Sequence, residues 1–153
     1  MDPILEQLRQ DLALSERSVD ILNKSVKKSE TLLVSRGQRT LTDDERETLE
    51  SLTSRFARAL DLLTQKLLRT IDKIELTDDG TPLDRMNRFK KRGVLRDDIN
   101  YGQLKDLRNR IVHKYIIEES DKIVADCLAN AHLVTEIYLN AKSYCLARGH
   151  IKN

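Results

Sequence analysis

The chain has 153 residues, of which 34% are charged and only 4% aromatic, with five glycines, two prolines and a net charge of +2. This profile is typical of long amphipathic helices, and it argues against a β-sandwich or barrel, which needs many turns and many aromatic or β-branched residues. The length predicts a single domain over residues 1–153. No apolar run approaches the ~20 residues that span a bilayer and no secretory leader pattern follows Met1, so we expect a cytoplasmic protein with no membrane partner.

The first two predicted elements are long amphipathic helices. An acid followed by a proline opens the first helix, and apolar residues recur at three- and four-residue spacing as far as Arg36–Gly37. Ser15 and Ser29 occupy two positions of this otherwise apolar stripe. A capping box over Thr42–Glu45 begins the second helix. Its apolar stripe consists of Leu49, Leu52, Phe56, Leu60, Leu63, Leu67, Ile71 and Ile74. The short loop between the two helices predicts an antiparallel hairpin.

Three further helices are predicted after the turn-forming residues 77–82. A short third helix runs from Pro82 to about Lys91. Asp97–Asn100 begins a fourth helix, which continues through Tyr115, and Ser120 caps a fifth. The residues expected to face the core are Leu83, Met86, Phe89, Leu104, Leu107, Ile111, Ile123, Val124, Cys127, Leu128, Ala131, Val134, Tyr138 and Ala141. The pattern therefore predicts an all-α, up-and-down bundle of four main helices and one short helix.

The two cysteines are expected to be reduced thiols. Cys127 and Cys145 fall 18 positions apart on the fifth helix, which corresponds to about 27 Å along its axis. A disulfide requires Cα atoms within about 7 Å of each other. No catalytic or metal-binding spacing surrounds either residue.

Basic side chains are concentrated in residues 85–96, a run without any acid. Clustered positive charge attracts phosphate backbones, so we expect this run to contact RNA. The alternative is that it forms an ordinary solvated helix face. The expected RNA-binding residues are Arg85, Arg88, Lys90, Lys91, Arg92 and Arg96.

Of the three histidines, only His113 has neighbours that suggest catalysis. His150 falls in a C-terminal tail that we expect to be frayed. His132 and Glu136 share a helix face and could bind a metal, but two ligands make a poor site, so His132 is expected to be a surface or boundary residue. The sequence contains no phosphate loop, zinc-binding spacing or nucleophile elbow.

His113 belongs to the segment Leu107–Tyr115, which combines several reactive side chains. On a straight helix Arg108 and Tyr115 share one face, whereas Asn109 and His113 share an adjacent one. Arg108 and His113 are then offset by roughly 140°. A bulge or kink in the helix would bring them together, and so would a second copy of the helix across a dimer axis, which also supplies a second histidine.

The side chains of this segment suit cleavage of RNA by attack of its own 2′-hydroxyl. That reaction needs one group to remove a proton and another to protonate the leaving oxygen, and a histidine titrates near neutral pH. His113 is therefore a candidate general acid or base. Arg108 would hold the scissile phosphate, and Asn109 would orient the imidazole or bind a phosphate oxygen. The reaction requires neither a metal nor a cofactor.

The pattern Arg108-Asn109-x-x-x-His113-x-Tyr115 resembles the Arg-x4-His-x-Tyr signature of HepT-type toxins in the HEPN (higher eukaryotes and prokaryotes nucleotide-binding) superfamily. The similarity extends upstream through residues 84–95 and downstream into the helix after Ser120, about two-thirds of the chain. It implies an all-α, HEPN-like homodimer that acts as a ribonuclease toxin, with its active cleft where two motif helices meet. Arg108 and His113 would be catalytic and Asn109 supporting.

The resemblance also implies a partner that controls the toxin. This is a nucleotidyltransferase antitoxin of the MntA-like type, which would silence the ribonuclease by attaching AMP to Tyr115, as in a type VII-like toxin–antitoxin system. An anionic adduct at Tyr115 would lie in line with Arg108 and would repel RNA.

Two other functions remain open at this point. Some HEPN proteins are non-catalytic substrate-binding or scaffold partners of minimal nucleotidyltransferases, but the intact Arg108, His113 and Tyr115 favour the nuclease. A purely structural coiled-coil adaptor, built on the first two helices, would leave the basic run 85–96 unexplained. With few aromatic rings for stacking bases, RNA affinity is expected to be largely electrostatic, and any base preference must arise elsewhere.

Overall fold

The computed structural model describes residues 2–113 and 120–153, and over these residues it contains helices and no strands. The prediction of an all-α fold is confirmed. The helices are α1 (Pro3–Arg36), α2 (Asp43–Asp61), a π-helical segment (Leu62–Leu67), α3 (Leu68–Ile74), α4 (Pro82–Lys91), α5 (Gly102–Val112) and α6 (Ser120–Ala147). The second predicted helix corresponds to α2, the π-helical segment and α3, which follow one another without a break. Within the described ranges, no helix is both long and apolar enough to cross a membrane.

Side-chain caps explain where several helices begin. The Asp2 carboxylate accepts a hydrogen bond from the backbone N–H of Ile4, and Pro3 occupies the first helical position. Thr42 and Glu45 form the predicted capping box at the start of α2. A second capping box, made by Thr81 with the aspartate three residues later, begins α4. These caps satisfy N–H groups that have no partner inside the helix.

The core lies where α1, α2 and α6 pack against one another, with α5 against α2 and α6. Most of the predicted stripe is buried, including Leu8 and Leu22 on α1, Phe56 on α2 and Val134 on α6. Cys127 and Cys145 are buried and not in a disulfide, as expected for reduced thiols. Burial raises the pKa of the Cys145 thiol to about 12, so this thiol stays protonated at neutral pH.

The inward position predicted for Leu83 is wrong, because its side chain is 65% exposed. Phe89 is completely buried and sets the inward face of α4. Each three-residue step falls about 60° short of a full helical turn, so Leu83 is rotated roughly 120° away from Phe89. Met86, between them, is half-buried.

The fourth helix starts later and ends earlier than predicted. Residues 97–101 form a turn, in which the Asn100 side chain accepts a hydrogen bond from the backbone N–H of Gly102, where α5 begins. The buried Tyr101 holds this turn, because its hydroxyl accepts a hydrogen bond of 2.9 Å from the Arg96 N–H. At the other end, α5 stops at Val112.

A buried carboxylate fixes α4 to α3. The side chain of Asp72 is inaccessible to solvent and accepts hydrogen bonds from three arginines of the basic run, at 3.0 Å from Arg85 and Arg88 and 2.7 Å from Arg92. Thr77 donates a further hydrogen bond. Burial opposes ionisation, but these donors outweigh it, so the pKa of Asp72 lies below its usual value.

A second carboxylate extends this network to the C-terminus. Glu75 accepts hydrogen bonds of 2.7 Å from the Tyr144 hydroxyl, and the His150 ring lies 2.8 Å from it. Arg92 is 3.3 Å away. The prediction that His150 belongs to a frayed tail is wrong, because its side chain is only 15% exposed and is held against α3.

Candidate functional site

Arg108 projects from α5 towards the end of α2. Leu104 and Leu107 bury the inner face of α5, which leaves Arg108 and its neighbour Asn109 at the surface. The Arg108 guanidinium meets the carboxylate of Asp61, with Nε 3.0 Å from Oδ1 and Nη2 3.0 Å from Oδ2. Hydrogen bonding to Asp61 and the charge of that carboxylate raise the pKa of Arg108. The guanidinium therefore carries a permanent charge in a defined orientation.

The contact with Asp61 uses one edge of the guanidinium and leaves another accessible. Asp61 occupies Nε and one N–H of Nη2, which is the side of the group. Among the described residues, the end of the group, formed by Nη1 and the second N–H of Nη2, makes one long contact of 3.4 Å, from Nη1 to Asn109 Oδ1. A guanidinium binds a phosphate through two parallel N–H bonds. Arg108 thus retains an edge suited to a phosphate.

The π-helical segment directly follows Asp61. Its wider turn is seen where the backbone N–H of Leu68 reaches the carbonyl of Leu63, five residues earlier. Such wide turns frequently occur at functional sites. Gln65 on this segment approaches Asp61 Oδ1 at 3.4 Å. Sequence reasoning missed Asp61, because its partner lies 47 residues away and no local pattern links them.

His113 lies at the C-terminal end of α5 and is exposed. Its backbone N–H still bonds to the carbonyl of Asn109 at 2.9 Å, but its dihedral angles (φ −104°, ψ 19°) leave the helix. Within the described residues, no hydrogen bond joins its ring to Arg108 or Asn109. The helix predicted through Tyr115 therefore ends at Val112, and His113 is its C-cap. Tyr115 itself lies outside the described residues.

The basic run is less accessible than its composition suggests. Arg85, Arg88 and Arg92 are committed to Asp72, and Arg96 pairs with Asp98 at 2.7 Å. The sequence could not show this, because most of the acids come from other parts of the fold. Among the described residues, Lys90 and Lys91 have no ion-pair partner. RNA contact by all six basic residues stays a prediction, and the two lysines are the best placed for it.

Among the described residues, no set of metal ligands surrounds the histidine on α6. His132 is exposed, as predicted, and Glu136 faces Arg96 at 3.6 Å. Nowhere in residues 2–113 and 120–153 do three or more potential ligand side chains form a cluster that could hold a metal ion.

No family model matches this chain, and no curated protein or solved structure is significantly similar to it. The likeness to HepT-type toxins therefore rests only on the residues quoted from the sequence.

Proposed function

We propose that this protein is a metal-independent endoribonuclease and the toxin of a toxin–antitoxin pair. The observation that carries the proposal is the orientation of Arg108. Asp61 fixes one edge of its charged guanidinium, and another edge could bind a phosphate. An exposed histidine stands five residues further along, at the end of the same helix. RNA transesterification requires a group that binds the phosphate and a group that transfers protons, and Arg108 and His113 are the candidates for these two roles.

In the proposed reaction, one imidazole removes the proton of the 2′-hydroxyl while its oxygen attacks the adjacent phosphorus. The bond from phosphorus to the 5′-oxygen breaks, and a second group gives that oxygen a proton. The products are a 2′,3′-cyclic phosphate and a free 5′-hydroxyl. Arg108 binds the two non-bridging oxygens, whose charge increases in the transition state.

A homodimer is the natural source of the second proton carrier. Each chain contributes one histidine to this segment, and within the described residues its ring does not bond to Arg108. Two copies of α5 meeting around a two-fold axis would place two His113 rings beside one phosphate. In this arrangement Asn109, already 3.4 Å from Arg108 Nη1, supports the clamp.

RNA cleavage by the purified protein in EDTA tests this proposal. We expect single-stranded RNA to be cut, and DNA of the same sequence to be left intact because it lacks the 2′-hydroxyl. The rate at low RNA concentration should fall steeply with added salt, since binding is largely electrostatic. RNA that is bound without being cut would favour the scaffold function instead.

Positioning of Arg108 by Asp61 leads to a second expected result. Asp61→Asn keeps the size of the side chain but removes the charge that orients the guanidinium. We expect kcat to fall about tenfold, because misplaced catalytic groups lose rate steeply. KM for RNA should not rise, because a negative charge near the phosphate has been removed.

Asp126→Asn is the matched control, because Asp126 pairs with another arginine of α5, Arg110, at 2.6 Å. Its kcat should stay near that of the wild type. Equal losses in the two variants would show that Asp61 has no special role.

The proposed partner is a nucleotidyltransferase that modifies Tyr115. After co-expression with such an enzyme, the intact mass of the protein should increase by AMP-sized steps, and Tyr115→Phe should abolish the increase. Modification of the phenylalanine variant would place the adduct elsewhere. The remaining tyrosines, two of which are buried, serve as internal controls.

A further inference from the structure

A cavity of about 430 Å³ opens beside Arg108, between the π-helical segment, α4, α5 and α6. Much of its wall is aliphatic, from side chains such as Leu60, Leu68, Leu104 and Ile137. Four polar residues of the wall, Gln65, Lys105, Arg108 and Asn109, reach solvent and form a rim. The cavity therefore joins an apolar interior to a polar rim that includes Arg108.

We propose that this cavity binds the base of one unpaired nucleotide whose phosphate is held by Arg108. The identity of the ligand as RNA rests on the proposed function. A volume of about 430 Å³ falls within the roughly 300–1,000 Å³ typical of cavities that hold small molecules. Apolar walls with a few polar groups at one side are also typical of such sites.

The charges at the rim favour an anionic ligand. Asp61, the acid that lines the cavity, is already paired with Arg108. Lys105 has no ion-pair partner among the described residues, so its charge is uncompensated. A purely apolar ligand would leave the charge of Lys105 unpaired, and a phosphate alone would leave the aliphatic wall in contact with water. A nucleotide satisfies the wall and the rim together.

The cavity also gives the protein a way to prefer one base over another, which so few aromatic residues do not provide. With only 4% aromatic residues, the composition offers few rings on which bases could stack. The carboxamide of Gln65, on the π-helical segment, can donate to and accept from the edge of a base. We therefore expect the four bases to bind unequally.

Filling the cavity tests this proposal without any need for turnover. Thr64 lines the cavity and donates its hydroxyl only to the carbonyl of Leu60, one helical turn earlier, so Thr64→Trp introduces bulk without leaving a buried polar group unpaired. Thr48→Trp is the matched control, because the Thr48 hydroxyl makes the same bond to Asp44 outside the cavity. Both variants are first checked for an unchanged thermal unfolding transition. If Thr64→Trp does not fold, Gln65→Ala takes its place.

Ligand binding is measured by calorimetry with the four ribonucleoside 5′-monophosphates and with ribose 5-phosphate, which has the same anion but no base. In the wild type, the best nucleotide should bind about tenfold tighter than ribose 5-phosphate, as expected from removing roughly 60 Å² of apolar surface from water. Thr64→Trp should lose that advantage and keep its affinity for ribose 5-phosphate, whereas Thr48→Trp should retain both. Gln65→Ala should reduce the difference between bases.

Equal affinity of the wild type for nucleotides and ribose 5-phosphate would overturn the proposal. A Thr64→Trp variant that keeps the tenfold advantage of nucleotides over ribose 5-phosphate would also overturn it. The same holds if Thr64→Trp changes only the oligomeric state in sedimentation, because a second copy of the chain would then be what fills the cavity. Because no arm depends on cleavage, a failure of ribonuclease activity and a failure of base binding are observed separately.

Discussion

Replacing His113 by alanine is expected to slow RNA cleavage by about 10²–10⁴-fold, the range contributed by a positioned general acid or base. The side chain is exposed and makes no hydrogen bond to a described residue, so its loss should leave the fold and the RNA affinity intact. The effect should therefore appear in kcat with little change in KM. Single-turnover kinetics on a short RNA would measure both quantities.

His132→Ala is the appropriate control for this variant, because His132 is also an exposed histidine but lies on α6, outside the motif. Its kcat should equal that of the wild type. A His113→Ala protein that cleaves RNA at the wild-type rate would remove His113 from the catalytic site.

Replacing Asp72 by asparagine is expected to lower the free energy of unfolding by about 3 kcal/mol, the lower end of the range for removing one partner of a buried ion pair. Three arginines lose their shared counter-ion, although each keeps some access to water at 12–22% exposure. Urea denaturation at neutral pH would measure the loss. Asp98→Asn breaks an exposed pair with Arg96 and should leave the midpoint nearly unchanged.

The effect of Asp72 should depend on pH in a definite direction. Its pKa in the folded protein lies below the unfolded value of about 3.9. A group of this kind stabilises the fold above its unfolded pKa, and the contribution is lost as pH falls through the folded pKa. The difference between wild type and Asp72→Asn should therefore be constant near neutrality and shrink below about pH 4. A difference that grows in acid would contradict the assignment.

Local patterns in the sequence predicted the helices and most of the core. The apolar stripes of α1, α2 and α6 depend only on helical periodicity, and the start of α2 depends on the Thr42–Glu45 capping box, so these features follow from neighbouring residues. The turn before α5 was less predictable. It is held by Asn100 and by the buried Tyr101. Asp97 and Asp98 are residue types that often begin a helix, so the sequence placed the start of the helix too early.

Three other features that sequence reasoning missed depend on contacts between distant residues. The basic run 85–96 contains no acid, yet three of its six cations contact Asp72 on α3. His150 is held by Glu75, 75 positions earlier. Asp61 meets Arg108 across two helices. Pairings of this kind are fixed by the tertiary fold and leave no periodic signal in the chain.

The orientation of Arg108 changes what the motif requires. From the sequence, the difficulty was that a straight helix turns Arg108 and His113 apart. In the structure α5 ends at Val112, so the backbone of His113 no longer has helical dihedral angles. Asp61 fixes the orientation of Arg108 independently. In the proposed reaction, Arg108 and Asp61 of one chain are therefore sufficient to hold the phosphate. The proposed homodimer would then be needed only to supply the second proton carrier.

The measurement that most directly tests the central claim is the identity of the RNA ends produced in EDTA. Mass spectrometry of the products should find 2′,3′-cyclic phosphates paired with 5′-hydroxyls for the wild type. Neither end should accumulate with Arg108→Ala or His113→Ala. Products with 5′-phosphates, or cyclic phosphates formed equally by both variants, would contradict a ribonuclease site at Arg108 and His113.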